Sequence, residues 1–407
     1  MKKTTLLITN GRVVLPDRVL DAAEIYMEEG IIQQVGKRTN INAARTADTV
    51  IDADGGYILP GLVDLHSDAI EKELEPRPGT FFDIAPAFSE LEKKLAGQGI
   101  TTMFHSFSFA GAEYGVRNDA EAAAAIRQIA AMAGYRSLIR NRIHLRFEIT
   151  NYRCLDIVMS LLADRLAHLL SFMDHTPGQG QYPTLEDYRR YMEKTYHLPY
   201  SAIEDNIALK EKGRAMAHGC VEKLGSAAGK ASIPIASHDD DSPGRVAYYR
   251  GLGAAINEFP INLETARAAH RSGNYVCVGA PNIVRGGSTG RGMRAADAIE
   301  AGLAGVICSD YYPPAMLQSV FILADSMLSL PEAARLVTLE PARAVGLDRL
   351  GSLEEGKWGD AVVVNMRGDV PVVTRTVVGG VQVYGVNYRR SITEGLQSEN
   401  CRFCHQC

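Results

Sequence analysis

This chain lacks the features that would put it in a membrane or on a nucleic acid. No apolar run approaches the roughly 18 residues of a transmembrane helix. Met1-Lys2-Lys3-Thr4-Thr5-Leu6 carries no sustained apolar region and no small-residue cleavage site, so no signal peptide is expected. The expected location is the cytoplasm. Charge of one sign is scarce: 43 Lys and Arg face 48 Asp and Glu, a net charge of −5. That balance leaves no electrostatic footprint for nucleic acid. Cysteine is sparse and odd in number, seven in 407 residues. Cys154, Cys220, Cys277 and Cys308 stand in apolar or helical surroundings and are expected as buried thiols. There is no internal repeat and no low-complexity linker. What the chain does have is apolar bulk, 46% of its residues. That is enough for one large domain and a smaller one.

Residues 4–56 are strand-like and rich in turns. Leu6-Leu7-Ile8-Thr9-Asn10-Gly11 ends in an Asn-Gly hairpin signal. A second hairpin is expected around Glu28-Glu29-Gly30. The same style returns after Asp360, so the two ends (1–57 and 341–390) are expected to pair into one small β-sandwich domain. Between them, over 58–340, short apolar strands alternate with amphipathic helices, which argues for βα units and a parallel sheet. Candidate strands are 58–66, 100–107, 143–149, 168–174, 232–237, 254–259, 275–280 and 304–309. Helices are expected at 119–140, 155–167, 185–195, 204–229, 262–272 and 292–302. Eight strands in this length fit an α/β architecture, a (β/α)8 TIM-like barrel; a doubly wound sheet is the alternative.

Chemistry in such barrels sits at the C-terminal ends of the strands. The first strand ends in His66 and Asp68, two residues apart and so on one face. Glu148 closes the third strand, Asp174-His175 the fourth, His238 the fifth, and Asp310 the eighth. His66, Asp68, Glu148, His175, His238 and Asp310 make six N/O donors from five strand ends. That set suits two divalent ions, zinc first, with manganese, iron or magnesium as alternatives. Asp310 is the candidate proton acceptor for an attacking water. Asp174 and Asp239 are expected to orient the neighbouring histidines, with Asp240 as a helper. Glu258 is a reserve candidate for substrate contact. His144, His168 and His218 are read as structural.

The loop after the seventh strand, Gly279 to Arg294, is rich in glycine and arginine. Glycines allow close backbone approach to phosphate, and arginines bind it through two donors at once. Arg285, Ser288, Thr289, Arg291 and Arg294 are therefore candidate substrate contacts, joined by Arg77 beyond the first strand and His105 in the second. This is no Walker sequence. The last segment, with Cys401, Cys404, His405 and Cys407, contains a Cys-x-x-Cys-His string. Haem attachment, a zinc site shared between subunits and a plain tail (391–407) all stay open for it.

A β-domain split between the ends, a metal motif after Leu-Pro-Gly-Leu-Val-Asp, and distant His, His and Asp resemble the amidohydrolase superfamily. Two departures stand out. Asp68 occupies the second position of the usual His-x-His, and no lysine near strands three or four matches the common carbamylated bridge, whose place Glu148 would take. His66-Ser-Asp-Ala-Ile-Glu71, Met173-Asp-His-Thr-Pro-Gly178 and Ser237-His-Asp-Asp240 resemble the superfamily's branch in the carbon–phosphorus lyase pathway of phosphonate catabolism. That resemblance implies hydrolysis of α-D-ribose 1-methylphosphonate 5-triphosphate to the 5-phosphate and pyrophosphate. A C–N hydrolase (a cyclic amidase or deaminase) and a non-catalytic barrel subunit are the other readings. The expected partner is a phosphorylated ribosyl phosphonate; assembly into a homo-oligomer is compatible with the sequence.

Overall fold

The computed structural model describes residues 3–37, 47–111, 118–178, 180, 182, 184–288 and 292–388. Two eight-stranded sheets organise them. One is parallel throughout, with its strands in chain order: Leu62–Ser67, Ile100–Phe109, Arg140–Glu148, Leu169–Met173, Ile235–His238, Ala254–Glu258, Tyr275–Gly279 and Ala304–Cys308. A parallel bridge between Ser67 and Asp310 joins the first strand to the eighth and closes the barrel. The Asp310 N–H donates to His66 O at 2.9 Å, and the Asp68 N–H donates to Asp310 O at 2.7 Å. These seam bonds carry Asp310 to the side of His66 and Asp68.

The second sheet draws on both ends of the chain. Tyr57–Pro60 lies between Thr5–Val14 and Ala361–Arg367, parallel to the first and antiparallel to the second. The first barrel strand was therefore expected too long. Tyr57–Pro60 belongs to the end sheet, and Pro60-Gly61 is the handover. Gly61 is required there, because a Cβ would lie 2.1 Å from Thr101 Oγ1. Asn10-Gly11 also departs from expectation. It forms a bulge inside Thr5–Val14 rather than a hairpin turn, with Asn10 at φ 58°. The hairpin at Glu29-Gly30 forms as expected. Residues 341–350 had been expected with the end sheet, yet Ala342, Ala344 and Leu350 join the cluster that fills the barrel interior, with Phe104, Leu169 and Ile256. No helix is long and apolar enough to cross a membrane among the described residues. Cys154, Cys220, Cys277 and Cys308 are buried free thiols.

Strand alternation decides what reaches the site. On the third strand Ile143, Leu145 and Phe147 pack outward into the helix layer. His144, Arg146 and Glu148 therefore face inward. On the second strand Met103, Phe107 and Phe109 pack outward, and so does His105. Its Nε2 lies 2.8 Å from Asn141 Oδ1, and its ring packs against Phe88. His105 is thus turned away from the interior, against the expectation of substrate contact. Burial holds its pKa down to about 4.

That depression has a consequence for stability. The unfolded chain takes up a proton near pH 6.5 that the folded protein refuses until about pH 4. Stability is full above 6.5 and falls as the pH drops through that window, by about 3 kcal/mol for this one group. His105→Gln is expected to flatten the acid limb of a urea-denaturation pH series by about that amount. His168, also held at about 4 by burial and then Arg142, retains its own share. An unaltered limb in the variant would refute this assignment.

Candidate metal centre

Among the described residues, three groups of donors converge inside the barrel mouth. The ligand atoms within each group lie within 4.8 Å of one another. One comprises His66, Asp68 and Asp310, a second His175, His238 and Asp239, and a deeper third His66, His144 and Glu258.

Local backbone geometry aims several of these side chains. Asp239 follows directly on the strand end at His238, Asp310 comes two residues after Cys308, and they adopt φ 54° and 57°. Non-glycine residues rarely hold this left-handed conformation, though Asp tolerates it. Asp239 Oδ2 lies 3.2 Å from His238 Nδ1 and 3.5 Å from His175 Nε2. Asp239 thus sits within reach of both histidines, as a group member as well as the expected orienting residue. His66 Nδ1 lies 3.0 Å from Glu258 Oε1, which makes Glu258 a holder of His66 rather than a substrate contact. His144 sits beneath, with Nδ1 3.3 Å from Ser106 Oγ and Nε2 2.9 Å from Ser171 Oγ. With a serine hydroxyl at each ring nitrogen, it forms a polar floor under His66.

Glu148 differs from its expected role as a ligand. It belongs to none of the three groups and stands behind His175. Its carboxylate accepts the His175 backbone N–H and lies 3.2 Å from His175 Nδ1. Thr150 Oγ1 donates to it at 3.0 Å, and Lys210 Nζ lies 3.5 Å away. Burial opposes ionisation here, but Lys210 and His175 overcome it and hold the Glu148 carboxyl down at about 2. His175 moves the other way. Against burial, Asp239 and Glu148 push it up to about 9.

Asp174 was expected to orient a histidine. Instead it accepts from both terminal nitrogens of Arg245, each at 3.0 Å, and from Thr176. Asp240 turns outward to Ser237 and Asn257, and burial raises its pKa to about 6. The candidate phosphate contacts are dispersed. Arg77 is exposed in a turn bridged to Thr80. Arg285 donates to the Tyr311 hydroxyl at 3.4 Å. Arg294 is engaged by Asp297 on the surface. Ser288 is half-buried, while Thr289 and Arg291 lie outside the described residues, as does the tail with Cys401, Cys404, His405 and Cys407.

Arg146 and Lys210 escaped the sequence reading. Arg146 Nη1 donates to Asp68 at 2.9 and 3.1 Å, and its Nη2 lies 3.2 Å from His238 Nε2. The alternation of Arg142 to Glu148 carried a signal for Arg146. Lys210 arrives from the helix Tyr200–Lys230, where no strand-end rule looks.

The donor set fits divalent cations. Asp68, Asp239 and Asp310 crowd together with three imidazoles, and burial, then the charge of Asp68, pushes Asp310 up to about 7. Carboxylates this close are mutually unfavourable when ionised, and a bound cation relieves that.

Comparison with known proteins agrees with this geometry. A family model described as the amidohydrolase family matches residues 57–383. The chain is 32% identical over 372 residues to α-D-ribose 1-methylphosphonate 5-triphosphate diphosphatase of Escherichia coli strain K12, covering 89% of this chain and 96% of the relative. It is 26% identical over 365 residues to imidazolonepropionase of Pseudomonas aeruginosa, covering 84% and 87%. Among solved structures, a Xaa-Pro dipeptidase superposes with a TM-score of 0.62 at 15% identity, over 94% of this chain and 100% of that one. N-acetylglucosamine-6-phosphate deacetylase from Pasteurella multocida gives 0.60 at 14% identity, over 92% and 98%. These last two speak for the fold alone. With the family model spanning most of its length, the closed barrel and the converging donors, the chain belongs to the amidohydrolase family and is a metal-dependent hydrolase.

Proposed function

We propose that this chain hydrolyses α-D-ribose 1-methylphosphonate 5-triphosphate to the 5-phosphate and pyrophosphate, in phosphonate catabolism. The observation that carries this reading is the similarity to the Escherichia coli diphosphatase over 96% of that protein's length. His66, Asp68 and Asp310 would hold one divalent ion, and His175, His238 and Asp239 a second. When bound, such ions neutralise phosphoryl oxygens and lower the pKa of water in the site. Zinc is the first choice for these mixed donors.

The chain's own groups have distinct tasks in this reading. Asp310 accepts the proton of the attacking water at its carboxylate and hands it towards the leaving pyrophosphate. Glu258 fixes the ring of His66, and Glu148 fixes that of His175. Glu148 in turn is kept ionised by Lys210, so the support of His175 does not lapse at neutral pH.

The test is pyrophosphate release from the ribosyl triphosphate, with metal analysis of the same preparation. About two ions per chain are expected, with activity lost on chelation and regained on adding zinc or manganese. A metal-loaded protein that releases no pyrophosphate but opens a cyclic amide would replace this reading with C–N hydrolysis. That second reading has its own support in the similarity to imidazolonepropionase.

A further inference from the structure

Arg146 holds a position that the metal groups alone do not explain. It lies on the inner face of the third strand between His144 and Glu148, and it is only 5% exposed. Its guanidinium spans the two metal groups, donating to Asp68 of the first and lying 3.2 Å from His238 of the second. A guanidinium cannot shed its charge by losing a proton. Divalent ions on Asp68 and His238 would therefore face a fixed cation at close range, with Arg146 and His238 both buried. Loading the metals must turn this side chain away from Asp68. A polyphosphate substrate brings several anionic oxygens into the same mouth, where a cation so displaced can bind them.

We propose that Arg146 is a counter-charge switch. It holds Asp68 in the metal-free protein and transfers to a phosphoryl oxygen of the substrate once metal holds Asp68. This rests on the polyphosphate reading above, and it makes Arg146 a substrate-binding residue for the phosphate chain. It also sets an order: metal binds first, and the polyphosphate then finds a donor that the metal has released. The surface arginines Arg285 and Arg294 are not needed for this contact.

Two titrations test it. Chelated wild type and Arg146→Gln are titrated with zinc alone, and the zinc-loaded forms are then titrated with inorganic triphosphate. In the variant, zinc affinity is expected to rise about 10-fold, because the competing cation is gone, and triphosphate affinity to fall roughly 10- to 100-fold, the scale of one charge-assisted bond. Arg146→Lys is expected to lie between the two on both titrations, and it carries the test if Arg146→Gln does not fold. Zinc affinity that is unchanged or lower in the variants overturns the switch. Unchanged triphosphate affinity overturns the substrate contact. If wild type itself binds no triphosphate, the polyphosphate reading fails, while the zinc titration still decides whether Arg146 competes with metal.

Discussion

Asp310→Asn is expected to fold normally while losing turnover by about 10³-fold, the usual scale for removing a positioned proton acceptor. The fold survives because Asn suits the left-handed backbone at φ 57° as well as Asp does. The seam bonds to His66 and from Asp68 use main-chain atoms and remain in place. Stability should show a further effect. The folded, chelated protein holds a proton on Asp310 up to about pH 7, whereas the unfolded chain releases it near 3.8. The folded state thus binds the extra proton between those values, and stability falls as the pH rises through the window. An amide has no such proton to lose. Chelated Asp310→Asn should therefore melt above chelated wild type at pH 8, with the gap closing towards pH 4. Wild-type turnover in the variant would remove Asp310 from the proton-transfer role. A lower melting temperature at pH 8 would contradict the burial of Asp310 and its crowding with Asp68.

Much of this architecture is legible in the chain, for identifiable reasons. Each barrel strand is a short apolar run between turn signals, and the run survives because both faces are buried. His66, Asp68, His175, His238 and Asp310 sit where those runs stop, so the strand-end rule finds them. The boundary at Pro60-Gly61 was less visible. Residues 58–66 read as one strand, and only pairing with Ala361–Arg367, some 300 residues later, separates its two halves. Arg146 lies inside its strand, two residues before the end at Glu148, where the strand-end rule does not look. Yet Arg142, His144, Arg146 and Glu148 alternate with Ile143, Leu145 and Phe147, and that period places all four on one face. His105 failed in the opposite sense. Its position near a strand end suggested the mouth, but the parity of Met103 and Phe107 puts it outside. Lys210 could not be found this way at all. Nothing local in a long amphipathic helix says that one lysine will be 7% exposed beside Glu148. Only the packing of the helix against the turn that follows the third strand does so.

That packing makes Gly213→Ala the second substitution with a large expected effect, opposite in sign to the ordinary rule. Replacing a mid-helix glycine by alanine normally stabilises by roughly 0.5–1 kcal/mol, because the unfolded chain has less freedom to lose. Gly213 lies within Tyr200–Lys230, where the helix backbone rests on the turn that follows Glu148. A Cβ at this position would stand 2.0 Å from the carbonyl oxygen of Thr150 and 2.8 Å from its carbon. Both are backbone atoms and cannot swing aside, so the helix must lift. Lys210 is three residues earlier, on the same helix face. Lifting the helix withdraws its ammonium from Glu148 and leaves a buried carboxylate short of its cation. Breaking a buried pair costs about 3–5 kcal/mol. Gly213→Ala should therefore lose on the order of 3 kcal/mol in urea denaturation. Lys210→Met should lose a similar amount through the same broken pair. The double variant should then lose much less than the sum, because the second change has no pair left to break. An additive double variant would separate the helix contact from the ion pair. A stabilised Gly213→Ala would show that the helix does not bear on Thr150, and the placement of Lys210 beside Glu148 would have to come from elsewhere in the helix.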